Sequence, residues 1–417
     1  FNILKRNGYL GYITPNTFFT LVYGANKLRK FLFDNNVLCK IVELYNVFPT
    51  AIVEPVITIF KKKKPLNEVF SSICVPRKIK LSSTFLNEGI ETKFVQSDLK
   101  KNEQYIFNYR SAPDDQAVCN AMRQYSRLDT LFDVMTGAKP YQVGKGIPPQ
   151  TKEIVKSKPY TGNSKKDDSW IPYIRGRSID RYTNKWKGKP EYIKYGEWLA
   201  EPRSADVFKG EKIFVRQTGD CLIATYDKGN VSNNTLHSIY PLKTNNNVSL
   251  YYLLGLINSK LINWYYQIVN YLEMDKPMAE VKGTYIRELP IAIGTQKEIL
   301  QVETLVEYLL EICQLKYNKN YDFIHFISKA YEPQKITEKL SEFEKLTFKE
   351  FLAELKKVKV KINSVQQKDL LGLYEDTVKQ ILDIDESIKK AQGELDSIVF
   401  RIYKIPENII KKIVKGR

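Results

Sequence analysis

The first 60 residues hold three strand-length apolar runs and one amphipathic stretch, and their order limits what the chain can fold into. "GYLGYIT" at 8–14 reads as a short buried strand. "PNT" follows, a helix-start signal with Asn16 or Thr17 as cap. Phe18, Leu21, Val22, Leu28, Phe31 and Leu32 then recur near the helical period, and "DNN" at 34–36 ends the helix. "LCKIVEL" and "VEPVITIF" read as two further strands. Strand, helix, strand, strand is the closing portion of an α/β sheet. A complete doubly wound domain needs several more βα units ahead of it. The chain also begins with Phe rather than Met, so it is expected to be a fragment whose N-terminal portion is missing.

Beyond this segment the texture changes twice. Residues 66–127 are mixed and read as a connector: "LNEVFSSICVPRKIKLS" suits a strand and "DDQAVCNAMRQYSRLDTLFDV" a helix. Residues 128–293 alternate short strand-like runs such as "EKIFVRQ" and "CLIATYD" with Gly, Pro and Asn turns, which predicts an α+β domain with irregular loops. Its buried spine is expected in "VSLYYLLGLINSKLINWYYQIV", a helix or helix pair, and "IRELPI" at 286–291 closes it with an extended segment. Residues 294–417 are helical. "LSEFEKLTFKEFLAELKKVKVKI" and "LGLYEDTVKQILDIDESIKKAQGELDSIVFRIY" read as long amphipathic helices paired as a hairpin.

Charge narrows the partner. The chain has 417 residues, with 65 Lys and Arg against 47 Asp and Glu, a net charge of +18. Residues Lys139 to Thr218 alone carry 18 basic and 9 acidic side chains, interleaved with eleven Tyr, Trp and Phe. This favours a polyanionic partner, against the plainer alternative of a lysine-rich proteome. Five cysteines without a CxxC pair exclude a zinc ribbon and make a disulfide scaffold a poor fit, so a reducing, cytoplasmic setting is expected. With two histidines far apart, histidine-based metal chemistry is not expected. No stretch reads as a membrane span or a signal peptide. There is no GxGxxG after a strand, no phosphate loop, no GxSxG and no HExxH. "ETK" at 91–93 matches the tail of a nuclease pattern, but no upstream Asp completes it, and a solvated turn is the plainer reading. The Pro-Pro step at 148–149 lacks a preceding Asn or Asp and a following aromatic.

"GYLGYITPNTFFT…LRKFL" and "IVELYNVFPTAIVEPVITIFKKK", followed by "LFDVMTGAKPY", "WIPYIRGRSIDRY", "FKGEKIFVRQTGDCLIATYD", "NNTLHSIYPL", "LLGLINSKLINWYY" and "IRELPI", resemble the C-terminal part of a type IIG restriction–modification enzyme. Such an enzyme joins a TaqI-like adenine-specific DNA methyltransferase to a TaqI-like target-recognition domain. The resemblance implies residues 1–65 as the end of a Rossmann-like methyltransferase sheet, 128–293 as the recognition domain and 294–417 as its helical tail. It also implies methyl transfer from S-adenosylmethionine to the exocyclic amine of an adenine flipped out of double-stranded DNA. The family's Asn-Pro-Pro-aromatic and cofactor motifs would precede Phe1, so no catalytic residue is expected in this chain, which alone is expected to be inactive.

One pocket element carries over. The phenylalanine of the family's "VFP" packs on the flipped adenine, and that position is Phe48, with Pro49 beside it. An aromatic face restores roughly 1–3 kcal/mol of lost stacking. A core phenylalanine capping a strand is the competing reading. Lys61–Lys64 suit either phosphate contact or a solvated strand end. Arg175, Arg177 and Arg181 in "YIRGRSIDRY" are candidate DNA contacts, because arginine pairs with guanine or phosphate. The first two would share one face of a strand, with Gly176 allowing close approach. Structural ion pairing, for instance with Asp180, is the alternative. Arg216 and Gln217 are candidates against a strand-end turn with Gly219 and Asp220, and Asn233 and Asn234 against a turn that satisfies backbone groups. His237 reads as a core or turn residue. Two rival readings stand beside the enzyme: a non-catalytic DNA specificity subunit, and a BREX-type phage-defence methyltransferase without a nuclease.

Overall fold

The computed structural model describes residues 3–19, 25–45, 47–48, 54–76, 79, 84–101, 105–243, 248–271 and 279–415. The chain divides into two compact units, 1–124 with 267–277, and 125–266 with 278–417.

The first unit is a five-stranded mixed sheet. Its strands are β1 (Tyr9–Pro15), β2 (Val37–Glu43), β3 (Pro55–Lys61), β4 (Val69–Cys74) and β5 (Ile90–Val95), in the order β1-β3-β2-β4-β5. β3 is antiparallel to both β1 and β2, so those two run parallel to each other with β3 inserted between them. The helix α1 (Asn26–Asn35) connects them. β4 joins β2 in parallel and β5 returns antiparallel. The expected order of strand, helix, strand, strand is present, with three differences. Asn16 caps no α-helix: Asn16–Phe19 is a 3-10 turn, the Asn16 amide donates to Glu54 at 2.9 Å, and α1 starts at Asn26 without a side-chain cap. β1 is the edge strand, and five of its seven residues are exposed rather than buried. Residues 66–124 are also no mere connector, since they supply β4, β5 and part of the core. Phe70, Phe94, Phe107 and Tyr109 pack with Phe19, Phe33, Phe60 and Tyr271 in one aromatic cluster. Buried Gln96 takes the Leu38 N–H at 2.8 Å and donates to the Phe33 and Asn36 carbonyls at 2.9 and 2.8 Å. It thereby satisfies backbone groups at the end of α1 and the start of β2 that burial would otherwise leave unpaired.

The second unit holds two four-stranded sheets. Ala224–Asp227, Lys212–Arg216, Leu236–Pro241 and Phe132–Thr136 pair antiparallel in that order. Val231–Ser232, Trp170–Ile174, Tyr192–Lys194 and Thr161–Gly162 form the other. The apolar spine is a helix pair, Leu250–Asn258 and Lys260–Val269. It breaks at Ser259, whose backbone is extended and whose hydroxyl accepts the Ile262 N–H at 3.2 Å. Gly255 sits where the first helix meets the long helix Gln296–Tyr331: a Cβ there would lie 2.7 Å from Val302 and 2.9 Å from Val306. "IRELPI" is helical at its start, in Gly283–Arg287, and extended only at Pro290–Ile291, which pairs with Ser126–Arg127.

The hairpin differs from the expected pair. Gln296–Tyr331 and Ser364–Ile402 are its arms, antiparallel as the cross-links Glu298–Arg401, Lys316–Asp385 and Lys319–Gln380 require. Residues 338–357 form short helices instead. A capping box at Thr347 and Glu350 starts a new helix where periodicity alone would continue one. Phe343, Phe351 and Leu355 pack there on Phe323 and Tyr374.

Candidate nucleic-acid interface

In the first unit, a buried polar network lies at the carboxyl end of β2. Glu43 is fully buried and grips Arg110: Nε donates to Oε2 at 2.6 Å and Nη2 to Oε1 at 2.7 Å. Tyr109 donates its hydroxyl to the same carboxylate at 2.6 Å, and Asn16 its amide at 3.4 Å. Burial alone works against the charged carboxylate, but Arg110, Tyr109 and Asn16 outweigh it and hold the Glu43 carboxyl below its usual range. Arg110 also donates to the Tyr45 hydroxyl and the Tyr271 carbonyl, each at 2.5 Å. The segment that follows β2 is thus anchored through Tyr45. Three residues on, Phe48 is 42% exposed, so its side chain is not closed into the core. Pro49 lies outside the described residues. The lysine run is largely engaged locally: Lys61 lies over the Tyr9 ring, Lys62 donates to the Leu4 carbonyl and Lys63 pairs with Glu68. "ETK" at 91–93 is part of β5, not a turn. Among the described residues no group of three or more His, Cys, Asp or Glu side chains is placed to hold a metal ion.

In the second unit, three of the four candidate arginines converge on two carboxylates. Arg175 and Arg177 share Glu191, at 3.0 and 2.9 Å. They do so from a different backbone than expected, because the strand ends at Ile174 and Gly176–Ser178 is a helical turn. The close approach that Gly176 allows is to its own chain: its N–H donates to the Thr235 hydroxyl at 2.9 Å, and a Cβ would come within 3.0 Å of the Thr235 carbonyl. The Arg177 side chain stays 61% exposed. Arg216 and Lys185 share Asp180, at 2.9 and 2.7 Å, and Arg216 also donates to the Gly176 and Ile179 carbonyls. Arg216 therefore ties the 176–180 turn to its own strand. Half-buried Arg181 makes a long contact, 3.4 Å, with the Leu222 carbonyl.

Gln217 donates to Glu280 at 2.7 Å, and its N–H bonds the Thr235 carbonyl. Asn233 is buried: its amide donates to the Tyr173 hydroxyl and its carbonyl accepts the Thr235 N–H, the turn geometry that competes with DNA contact. Asn234 is half-buried, with its backbone N–H on the Ala138 carbonyl. His237 is buried, Nε2 on the Val281 carbonyl at 2.8 Å and Nδ1 against the Thr136 hydroxyl at 3.3 Å. Burial lowers its pKa.

Sequence reasoning missed Arg110 and its network. A single arginine before "SAPDD" carries no periodic signal, and its partner lies 67 residues away.

Residues 171–291, which hold these arginines, match the TaqI-like C-terminal specificity domain. Residues 1–48, which end at Phe48, match the Eco57I restriction-modification methylase, and 295–399 match a domain of unknown function, DUF8810. The chain is 29% identical over 328 residues, 76% of its length, to a protein of Methanocaldococcus jannaschii provisionally described as a type II restriction enzyme and methyltransferase, RM.MjaORFECS2P. It spans 26% of that relative. Among solved structures it is similar to the type IIG restriction endonuclease BpuSI, at 10% identity and TM-score 0.32 over 96% of this chain and 48% of that one. The type IIL restriction-modification enzyme MmeI, in complex with DNA, gives 11% and 0.40 over 90% and 50%. The chain thus carries a match to a restriction-modification methylase followed by one to a specificity domain. In that order of parts it resembles the C-terminal portion of a type IIG restriction–modification enzyme.

Proposed function

We propose that the chain supplies DNA target recognition and part of the base pocket to a DNA adenine methyltransferase. That enzyme would transfer a methyl group from S-adenosylmethionine to the exocyclic amine of a flipped adenine. The carrying observation is the sequence of parts: a methylase match that ends at Phe48, then a specificity-domain match at 171–291. The inserted antiparallel β3 between parallel β1 and β2 supports a reading of the first unit as the closing strands of a Rossmann-like sheet. In such sheets ligands sit beyond the carboxyl ends of the parallel strands, where β2 delivers Glu43, Tyr45 and Phe48.

Phe48 is then the stacking face for the extruded adenine, with Pro49 beside it. Arg110 is a positioning residue that holds the segment leading to it. The described residues do not themselves fit S-adenosylmethionine. The carboxylate at the strand end, Glu43, is consumed by Arg110, Tyr109 and Asn16 and is not open to a ribose.

On the duplex, Arg177 is the strongest candidate reader, with Arg175, Arg181 and Asn234 beside it. Arg216, Gln217 and Asn233 serve as frame. A non-catalytic specificity subunit is the second reading, favoured by the long helical hairpin attached to the recognition unit. The test is methyl transfer by the full-length protein from labelled S-adenosylmethionine to duplex DNA, with digestion to nucleosides. Label in N6-methyladenine supports the enzyme. Duplex binding without label, from a protein that also lacks a cofactor motif, would favour the subunit.

A further inference from the structure

The segment Lys139–Gln150, "KPYQVGKGIPPQ", belongs to none of the contacts above, yet it is a tightly bonded loop. Gln150 is 2% exposed and anchors it from inside. Its side chain accepts the Gln142 N–H at 3.0 Å and donates to the Pro140 and Trp198 carbonyls, both at 2.8 Å. Backbone bonds close the loop on itself, Gly144 to Gln150 at 2.9 Å and Gln150 to Lys145 at 2.7 Å. Gly144 and Gly146 take φ of +78° and +88°, which favours glycine, and a Cβ on Gly146 would lie 2.5 Å from the Trp198 carbonyl oxygen. Tyr141, at its base, stacks on Tyr160 at 5.9 Å, and Tyr160 leans on Trp198.

All this order carries an apolar tip into solvent. Ile147 is 65% exposed and Val143 51%, with exposed Lys145 between them in sequence. The Ile147 N–H bonds the Glu197 carbonyl at 2.9 Å, which fixes the backbone that carries the exposed side chain. Charge along the loop and the helix that follows it argues for the occupant. Residues 139–158 contain five lysines, Lys139, Lys145, Lys152, Lys156 and Lys158, against the single acid Glu153. A rigid aliphatic tip in a basic field suits the edge of a nucleic-acid base stack, because base faces and edges are apolar while the flanking phosphates are anionic.

We propose that the Val143–Ile147 tip is a base-step wedge. Ile147 and Val143 press between adjacent base pairs of duplex DNA and partly unstack one step, while Lys145 takes a phosphate. The frame around Gln150 keeps the tip in its bound shape, so little ordering is required on binding. The inference rests on the reading that duplex DNA is the partner, and it adds a contact that distorts the duplex apart from the arginine readers.

The experiment uses the full-length protein and the duplex it enriches from a random-sequence pool, with 2-aminopurine placed at each position in turn. Wild type is expected to raise fluorescence several-fold at one step besides the flipped adenine. Ile147→Ser should abolish that second signal, keep the flipped-base signal and weaken binding about tenfold, with the salt dependence unchanged because no charge is removed. Lys145→Ala should instead lower the salt slope by about 1. Gln150→Ala, which keeps both aliphatic side chains, should weaken the second signal. If wild type enriches no duplex, the DNA reading itself fails. If it binds but shows only the flipped-base signal, or if Ile147→Ser matches wild type, the wedge is wrong and DNA recognition stands.

Discussion

Arg110 and Glu43 form a two-pronged ion pair, 2.6 and 2.7 Å, with the carboxylate fully buried and the guanidinium nearly so. Removing one partner leaves the other charged, desolvated and unpaired. Arg110→Ala is therefore expected to cost about 3–5 kcal/mol in urea unfolding of the first unit's transition. The double change Glu43→Leu with Arg110→Met should cost less than Arg110→Ala alone, because it leaves no orphan charge. A double variant as unstable as the single one would show that the pair's charge is not the issue.

Phe48 tests the base pocket separately. Phe48→Ala should leave duplex affinity within about twofold and lower methyl transfer by the stacking energy of one base, roughly 1–3 kcal/mol. Phe48→Trp should restore most of it. The side chain is partly exposed, so stability should change little. Parallel loss of binding and turnover would count against a stacking role.

The two kinds of arginine should separate cleanly. Arg177→Ala removes an exposed guanidinium and should weaken DNA binding with only a small change in melting temperature, since buried Glu191 keeps Arg175 as its partner at 3.0 Å. Arg216→Ala removes hydrogen bonds to two carbonyls and Asp180, and should cost about 1.5–3 kcal/mol of stability. Binding isotherms beside thermal melts decide this, and equal loss of stability in both would remove the distinction.

His237 sets a pH slope. Burial, and then nearby Arg287, lower its pKa from the ordinary 6.5, against the opposing Val281 carbonyl and Glu280. The unfolded chain therefore binds the proton first. The neutral ring's contribution is complete above pH 6.5 and falls away as pH drops through the lowered folded value. Glu43 acts in the same sense further down, complete above its ordinary 4.5 and lost as pH falls toward its depressed value. His237→Gln should flatten the stability profile just below pH 6.5 and leave the acid limb near the Glu43 range. An unchanged profile would mean that His237 is not the titrating group.

Sequence periodicity alone determined the local elements. The β1–α1–β2–β3 order, the helix pair around Ser259 and the helical character of the C-terminal region follow from side-chain spacing, which acts over a few residues. The basic, aromatic texture of 139–218 was likewise legible, because net charge is additive along a chain. Tertiary structure decided what each residue is free to do. It brought β4, β5 and Gln96 into the first sheet, since a buried backbone must find partners wherever they lie. It paired Gln296–Tyr331 with Ser364–Ile402 and left 338–357 as short helices, because capping at Thr347 outcompetes a continued helix. It joined Arg110 to Glu43 across 67 residues and spent Arg216 on carbonyls while leaving Arg177 open. Spacing names the charges, but which of them remain free for a partner depends on carboxylates and carbonyls that only folding brings within about 3 Å.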